Sequence, residues 1–211
     1  MTFTETILPQ MKAFDWTADG AAERGARLFL DEFLRMYPTS SYDYDEHTVS
    51  DVLYGEYFAS LEELAEWSKS AKVDIAEFYL CLLALWKAEH PLEQQLFDVL
   101  TSEYTAAALA IVLDAKGDKE EVCRLIDGLC KHAAHIDHSG MLHVGVQDLC
   151  VVSLRLALFV VLQQIDLQAY TEPSHKATLL AAVDSILRSR MITTNFPAER
   201  KAAEELRQTL A

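Results

Sequence analysis

Apolar residues recur every three or four positions along most of the chain, which is the spacing of an amphipathic α-helix. Between 19 and 36 this spacing produces one continuous stripe, formed by Ala26, Phe29, Leu30, Phe33 and Leu34. Pro38 follows directly, and the residue before a proline disfavours the helical conformation. The pattern therefore predicts a helix that Asp19 opens and that runs to about Met36.

Polar residues that begin and end helices lie between the apolar segments. Ser60 precedes Glu63 by three positions, which is the spacing of a capping box, where both side chains satisfy free amides of the first turn. Gly117 followed by Asp118 indicates the left-handed end of one helix and the cap of the next. Pro197 suits the first turn of a final helix over 198–210.

Two segments are apolar on nearly every side and predict buried helices. The first is FYLCLLALW over 78–86, and the second runs from Gln147 to about Ile165. The longest apolar run, Leu149–Leu162, contains Arg155 and is too short and too charged to span a bilayer. We expect Arg155 to pair with a buried acid or to extend its charged end to solvent.

The chain is poor in the residues that tight turns require. It has 7 Gly and 5 Pro, and its one Asn is Asn195, whereas an all-β fold of this size needs many such turns. Two segments without a helical period, 39–48 and 135–145, predict loops. We therefore predict an all-α fold, a single globular domain over 1–211. We expect a bundle of about nine or ten helices with antiparallel neighbours and a repeat-like helical pair in the middle.

Acidic residues are concentrated in the first half of the chain. The net charge is −15, and residues 1–118 contain 22 Asp and Glu against 8 Lys and Arg. Residues 119–211 contain 11 against 10. Because carboxylates repel phosphate groups and anionic lipids, we expect neither direct nucleic-acid binding nor membrane binding. The predicted domain thus has an acidic half for recognition and a near-neutral half that serves as a scaffold.

The N-terminal sequence and the cysteines indicate a cytoplasmic protein. The opening MTFTETILPQMKAFDW has no basic start and no apolar core, so we expect no signal peptide. Helical patterns contain all four cysteines, and no CxxC pair is present among Cys81, Cys123, Cys130 and Cys150. Buried, reduced thiols are the expected state of such residues.

Acids alternate with aromatic residues between 37 and 67. Within 31–66 there are 10 acids and a single base, Arg35. Tyr and Trp anchor protein interfaces because they bury a large area at low entropy cost, and carboxylates beside them orient a basic partner. The residues that we predict to bind this partner are Tyr42, Asp43, Tyr44, Asp45, Glu46, Asp51, Tyr54, Glu56, Tyr57, Glu62, Glu63 and Glu66. The alternative is that Tyr54, Phe58 and Trp67 belong to the core and the acids only provide solubility.

Histidines are clustered between 132 and 143. Histidine is the commonest metal ligand, and the candidates for such a site are His132, His135, Asp137, His138 and His143. The alternative is that histidines near the end of a helix stabilise its dipole and cap its carbonyls. The chain has no GxSxG, HExxH or glycine-rich phosphate loop, so we expect no enzymatic activity and no cofactor.

The acidic-aromatic stretch 42–67 and the helical pair predicted over 106–130 resemble the all-helical, acidic immunity proteins of bacterial polymorphic-toxin and contact-dependent inhibition systems. The resemblance implies a protein that binds a cognate toxin, often a basic nuclease, and occludes its active or substrate-binding surface. Two other functions fit the residues. One is a metal-binding protein or metalloenzyme centred on 132–143, and the other is an acidic mimic of nucleic acid.

Overall fold

The computed structural model describes residues 1–38, 46–89, 96–139 and 144–211. Within these ranges every regular element is a helix and no β-strand is present, which confirms the predicted all-α fold. The chain divides into two compact units, Met1–Val112 (unit 1) and Leu113–Ala211 (unit 2). The prediction of one domain over the whole chain stays a prediction.

The elements of unit 1 are α1 (Phe3–Lys12), α2 (Ala21–Met36), α3 (Glu46–Val49), a π-helix (Ser50–Phe58), α4 (Ala59–Ala71), α5 (Ala76–Glu89) and α6 (Leu96–Lys116), whose last residues belong to unit 2. The stretch from α3 to α4 is one continuous helix with a π-helical middle. With that stretch counted once, the described ranges hold ten α-helical segments, in agreement with the predicted nine or ten.

Unit 2 continues with α7 (Lys119–Ser139), α8 (Val144–Gln164), a 3-10 helix (Leu167–Ala169), α9 (Pro173–Arg188), α10 (Arg190–Asn195) and α11 (Pro197–Leu210). Here α9 packs against α7, α8 and α11. The predictions at the start of α7 are confirmed, because Gly117 has a φ of +83° and the Asp118 carboxylate accepts a hydrogen bond from the Glu121 amide at 3.4 Å. The predicted final helix is also present, beginning at Pro197.

Tyr57 joins four helical elements in the aromatic core of unit 1. Its side chain is completely buried, and its ring lies 4.7 Å from Phe33 and 5.8 Å from Phe29 on α2, measured between centroids. The Trp86 indole N–H of α5 donates a hydrogen bond to the Tyr57 hydroxyl at 2.8 Å. The same hydroxyl lies 2.5 Å from the Thr105 hydroxyl of α6. Since Thr105 donates its own proton to a backbone carbonyl, Tyr57 is the donor in this pair.

The sequence pattern did not predict α1. A capping box begins this helix, because the Glu5 amide donates to the Thr2 hydroxyl at 3.1 Å and the Thr2 amide donates to the Glu5 carboxylate at 2.8 Å. Phe3 then packs edge-on against Phe29, with 5.0 Å between the ring centroids. The Thr2–Glu5 spacing is a recognisable start signal, but Pro9 inside the helix obscures its continuation.

The π-helix accounts for a wrong prediction at Ser60. Its buried residues form two apolar pairs, five positions apart: Val52 with Leu53, and Tyr57 with Phe58. Because a π-helix joins residues five apart, it keeps both pairs on the same side. Helical conformation continues into α4, so Ser60 lies inside a helix and donates a hydrogen bond to the Glu56 carbonyl at 2.5 Å. The capping box predicted at Ser60 is therefore wrong.

The predicted loops are shorter than the sequence pattern indicated. Residues 46–48 belong to α3, residues 135–139 to α7 and residues 144–145 to α8. The remaining loop positions lie outside the described residues. The start of α2 also differs from the prediction, because Gly20 occupies the cap position with a left-handed φ of 65° and the helix begins at Ala21, not at Asp19.

The two apolar segments that were predicted to be buried helices, 78–86 and 147–165, differ in how far they are buried. The prediction for α8 is confirmed, since residues 151–158 are all buried, and this includes Arg155 at 8% exposure. The prediction for 78–86 is wrong in part, because Leu80 is 50% exposed. The helix that is buried on every side in this part of the chain is α6, over 104–113. No helix in the described ranges is both long enough and apolar enough to cross a membrane.

Replacing Tyr57 by Phe tests the hydrogen-bonded centre of unit 1. The Tyr57→Phe change keeps the ring but removes the acceptor of the Trp86 N–H and the donor to Thr105. We expect a loss of about 1–3 kcal/mol in the free energy of unfolding, since a buried N–H would lose its partner. Urea denaturation monitored by circular dichroism measures this difference.

Tyr37→Phe is the matched control, because Tyr37 is only half-buried and its hydroxyl makes no hydrogen bond within the described residues. Its unfolding free energy should stay within about 0.5 kcal/mol of that of the unmodified protein. Equal effects of the two substitutions would contradict the role given to the Tyr57 hydroxyl.

Candidate functional site

The residues predicted to bind a partner fall into two parts of the chain. The first part, Tyr42, Asp43, Tyr44 and Asp45, lies outside the described residues, as does the side chain of Glu46, which begins α3. The second part lies on the π-helix and α4, where the structure describes every residue. The geometry of the candidate site therefore comes from the second part.

Three carboxylates of this second part are exposed to solvent: Asp51, Glu63 and Glu66. We call them the exposed carboxylates. Glu63 and Glu66 are three positions apart on α4 and so share one side of it, while Asp51 lies on the π-helix. Glu66 is 65% exposed and lies 3.5 Å from the Lys69 ammonium. Asp51 and Glu63 form no ion pair within the described ranges, so their charges are open to a partner.

Glu56 has a structural role that the sequence did not predict. Its carboxylate accepts hydrogen bonds from the backbone amides of Phe3 and Thr4, at 3.0 and 3.4 Å. These are the first amides of α1, which have no partner inside their own helix. A negative charge at a helix N-terminus is also favoured by the helix dipole. We therefore remove Glu56 from the partner-binding residues and assign it to the attachment of α1.

The aromatic residues of the stretch are mainly part of the core. Tyr57 is completely buried and Phe58 is 1% exposed, so neither presents a surface to a partner, and the prediction for Tyr57 is corrected. Tyr54 and Trp67 are half-buried. The Tyr54 ring stacks on Phe58, with 6.2 Å between centroids and 27° between the ring planes. Glu62, between these positions, is half-buried as well.

The histidine cluster is only partly described. His132 is half-buried and His135 is exposed, both on α7. The side chains of Asp137 and His138, and the whole of His143, lie outside the described residues. Among the side chains that are described, neither His132 nor His135 belongs to a group of three ligands that could hold a metal ion.

A different carboxylate–imidazole group is present in unit 2, and sequence analysis missed it. Glu120, Glu172 and His175 place one ligand atom each within 4.8 Å of the others. The His175 Nε2 lies 3.4 Å from the Glu120 carboxylate, which is 78% exposed. His175 is buried, and among the described residues its Nδ1 has no hydrogen-bond partner. This geometry supports an ion pair between His175 and Glu120 when the imidazole is protonated.

Of the four cysteines predicted to be buried, Cys123 and Cys150 are buried, whereas Cys81 and Cys130 are half-buried. The described cysteines form no disulfide. Burial raises the pKa of Cys123 to about 11, an effect that Glu120 increases, and raises the pKa of Cys150 to about 12. Burial also raises the pKa of Cys81. Because the thiolate is the nucleophile, a raised pKa disfavours nucleophilic reactivity of these thiols near neutral pH.

Replacing Glu56 by Ala tests the distinction between structural and exposed carboxylates. The Glu56→Ala variant leaves two amides of α1 without their acceptor. We expect it to lose about 1–2 kcal/mol of unfolding free energy, as measured for other helix caps. Glu63→Ala, a substitution at an exposed position of α4, should change stability by less than about 0.5 kcal/mol. Chemical denaturation of both variants gives the comparison, and equal losses would contradict the assignment.

Comparison with known proteins adds no further constraint to this site. No protein-family model matches the chain, and searches of curated proteins and of solved structures find no match. A function for the chain is therefore argued from its own residues.

Proposed function

We propose that this protein is a protein-binding inhibitor, an immunity protein of the bacterial cytoplasm that neutralises a basic toxin by occluding its active or substrate-binding surface. The observation that carries the proposal is the exposure of Asp51 and Glu63 without an ion pair in the described ranges, on a helix whose aromatic residues are largely buried. The exposed carboxylates of this helix are directed to solvent while its apolar side forms the core.

The distribution of charge supports a basic partner. Unit 1 contains 20 Asp and Glu against 7 Lys and Arg, and unit 2 contains 13 against 11. The excess of negative charge therefore belongs almost entirely to unit 1. A field of one sign accelerates encounter with a partner of the opposite sign and weakens as salt is added. It also disfavours nucleic acid as a direct ligand of this unit.

The exposed carboxylates make few contacts within the described residues, which also supports a role in recognition. Glu56 holds α1, whereas Asp51 and Glu63 have no comparable contact in the described residues. Excess like charge destabilises a compact unit through its own repulsion. Exposed charges that are retained although they lower stability are typical of surfaces that are selected for function.

The half-buried Tyr54 and Trp67 complete the surface that we propose. Each has a fixed aromatic body with part of its area open, which is the form of an interface anchor. Exposed carboxylates around such anchors would accelerate association with a basic partner and orient that partner, while the anchors would supply the buried area. An inhibitor acting by occlusion needs this combination and no catalytic group.

Affinity capture followed by a toxicity assay tests the proposal. Immobilised protein is incubated at low ionic strength with a lysate of its native host, and the recovered protein is expressed in a heterologous cell. We expect a basic protein that arrests growth, and co-expression of the unmodified chain should restore growth. A triple variant, Asp51→Asn, Glu63→Gln and Glu66→Gln, should associate about 10–100-fold more slowly at low salt.

The control carries the same change of charge on α11 of unit 2, at Glu199→Gln, Glu204→Gln and Glu205→Gln. It should restore growth and associate as fast as the unmodified protein. The proposal fails if the captured protein binds the two triple variants equally, or if an excess of a basic toxin gives no complex at low salt.

A further inference from the structure

Unit 2 holds a group of three possible metal ligands where the starts of two helices meet. Glu120 lies in the first turn of α7, Glu172 is the N-cap residue of α9, and His175 follows in the first turn of α9. The two helices pack against each other. One ligand atom of each residue lies within 4.8 Å of those of the other two. The packing of α7 on α9 therefore brings two carboxylates to one imidazole.

His175 is the buried member of the group. It is 7% exposed, and no group in the described residues forms a hydrogen bond with its Nδ1. A neutral imidazole carries one proton and a charged imidazole carries two. In every one of these states the buried Nδ1 is either an unpaired donor or an unpaired acceptor. His175 is thus buried without the hydrogen bonds of a structural histidine, and a bound ion is one of the explanations for such a group.

The distance between the His175 Nε2 and the Glu120 carboxylate indicates which ion fits. It is 3.4 Å, whereas a charge-assisted N–H···O hydrogen bond measures about 2.7–2.9 Å. Zinc binds imidazole nitrogen and carboxylate oxygen at about 2.0–2.2 Å in a tetrahedral arrangement. At the tetrahedral angle, two such ligand atoms lie about 3.4 Å apart. The observed distance therefore suits two ligands of one zinc ion better than it suits a hydrogen bond.

Packing holds the imidazole in place for this role. The Tyr170 ring is completely buried, and its hydroxyl donates a hydrogen bond to the Asp114 carboxylate at 2.6 Å. The His175 ring meets the Tyr170 ring edge-on, with 5.9 Å between centroids and 71° between the ring planes. A ligand that packing already orients loses little freedom when it binds a metal ion. The two glutamates are exposed, so their side chains can turn towards an ion at the imidazole.

The charges around the group are suited to a divalent cation. In the described ranges the ion-pair contact of Glu120 is with His175, and the Glu172 side chain does not cap α9. Lys119, next to Glu120, directs its ammonium to the Tyr170 ring, at 4.8 Å from the ring centre. The two carboxylates can therefore balance the charge of one divalent ion. The imidazole nitrogen favours zinc over magnesium and calcium, which prefer oxygen ligands.

We propose that Glu120, Glu172 and His175 form a binding site for a zinc ion. His175 contributes its Nε2 and each glutamate contributes one oxygen, which leaves a fourth position for water. The bound ion joins the start of α7 to the start of α9. The site is separate from the histidines between 132 and 143. It belongs to unit 2 and uses none of the exposed carboxylates, so it is independent of the function proposed for unit 1.

Isothermal titration of the full, untagged chain with zinc chloride tests the site, after removal of metal with a chelator. Magnesium chloride serves as the comparison ion and should not bind saturably. We expect His175→Phe, which keeps a ring against Tyr170, to bind one equivalent of zinc fewer than the unmodified chain. Glu172→Gln changes an exposed residue and should bind this equivalent at least tenfold more weakly.

Thermal unfolding of the same proteins gives a second measurement. Zinc should raise the Tm of the unmodified chain, because an ion that binds only the folded state stabilises it. It should raise the Tm of His175→Phe less. Without metal, His175→Phe should have a Tm that is equal or higher, since the substitution removes an unpaired buried nitrogen.

The controls are His135→Ala, which removes an exposed histidine of α7 outside the group, and Glu199→Gln, which removes an acid from the first turn of α11. Both should keep the zinc equivalent that His175→Phe loses. The proposal is overturned if the unmodified chain binds no zinc saturably, which would leave only the ion pair with Glu120. It is also overturned if His175→Phe or Glu172→Gln binds zinc as the unmodified chain does, or if a control loses the same equivalent.

Discussion

The fold of unit 1 depends on the burial of one hydroxyl-bearing ring, Tyr57. Its hydroxyl accepts from the Trp86 indole and donates to Thr105, and burial raises its pKa well above the usual range, so it stays protonated as a donor. These bonds fix the π-helix against α5 and α6 while the ring packs on α2. With this side of the helix packed in the core, Asp51 and Glu63 face solvent, whereas Glu56, beside Tyr57, binds the first amides of α1. The alternation of acids and aromatics in the sequence therefore corresponds only in part to an alternation of surface and core.

The two units use their carboxylates in different ways. Unit 1 carries nearly all of the excess negative charge, and much of it lies on exposed side chains. Unit 2 is close to neutral, yet it places two glutamates beside one buried histidine. An outward-facing acidic surface is suited to fast association with a basic macromolecule. Two carboxylates with an imidazole are suited to a divalent cation such as zinc. The two proposals therefore concern different ligands, and each can fail without affecting the other.

Local signals in the sequence predicted most of the helices, though not α1, and also the cap at Asp118, the left-handed Gly117 and the buried α8. These features depend on neighbouring residues and on a 3.6-residue period. The π-helix follows a five-residue period in Val52, Leu53, Tyr57 and Phe58, which a search for ordinary helices does not detect. Contacts between distant positions were also missed. Glu56 attaches α1 across 53 residues, and the packing of α7 on α9 brings Glu120 to Glu172 and His175, so only the tertiary structure reveals them.

The central claim is that the exposed carboxylates serve recognition and do not hold the fold. The most direct measurement is the free energy of unfolding of the variant Asp51→Asn, Glu63→Gln, Glu66→Gln against that of the unmodified protein, at low ionic strength and without a partner. Removing three like charges relieves repulsion in unit 1 and, among the described residues, breaks one ion pair, between the exposed Glu66 and the half-buried Lys69. We predict a stability that is unchanged or higher by up to about 1 kcal/mol. A loss of more than about 1 kcal/mol would contradict the account, because the carboxylates would then be part of what stabilises the fold.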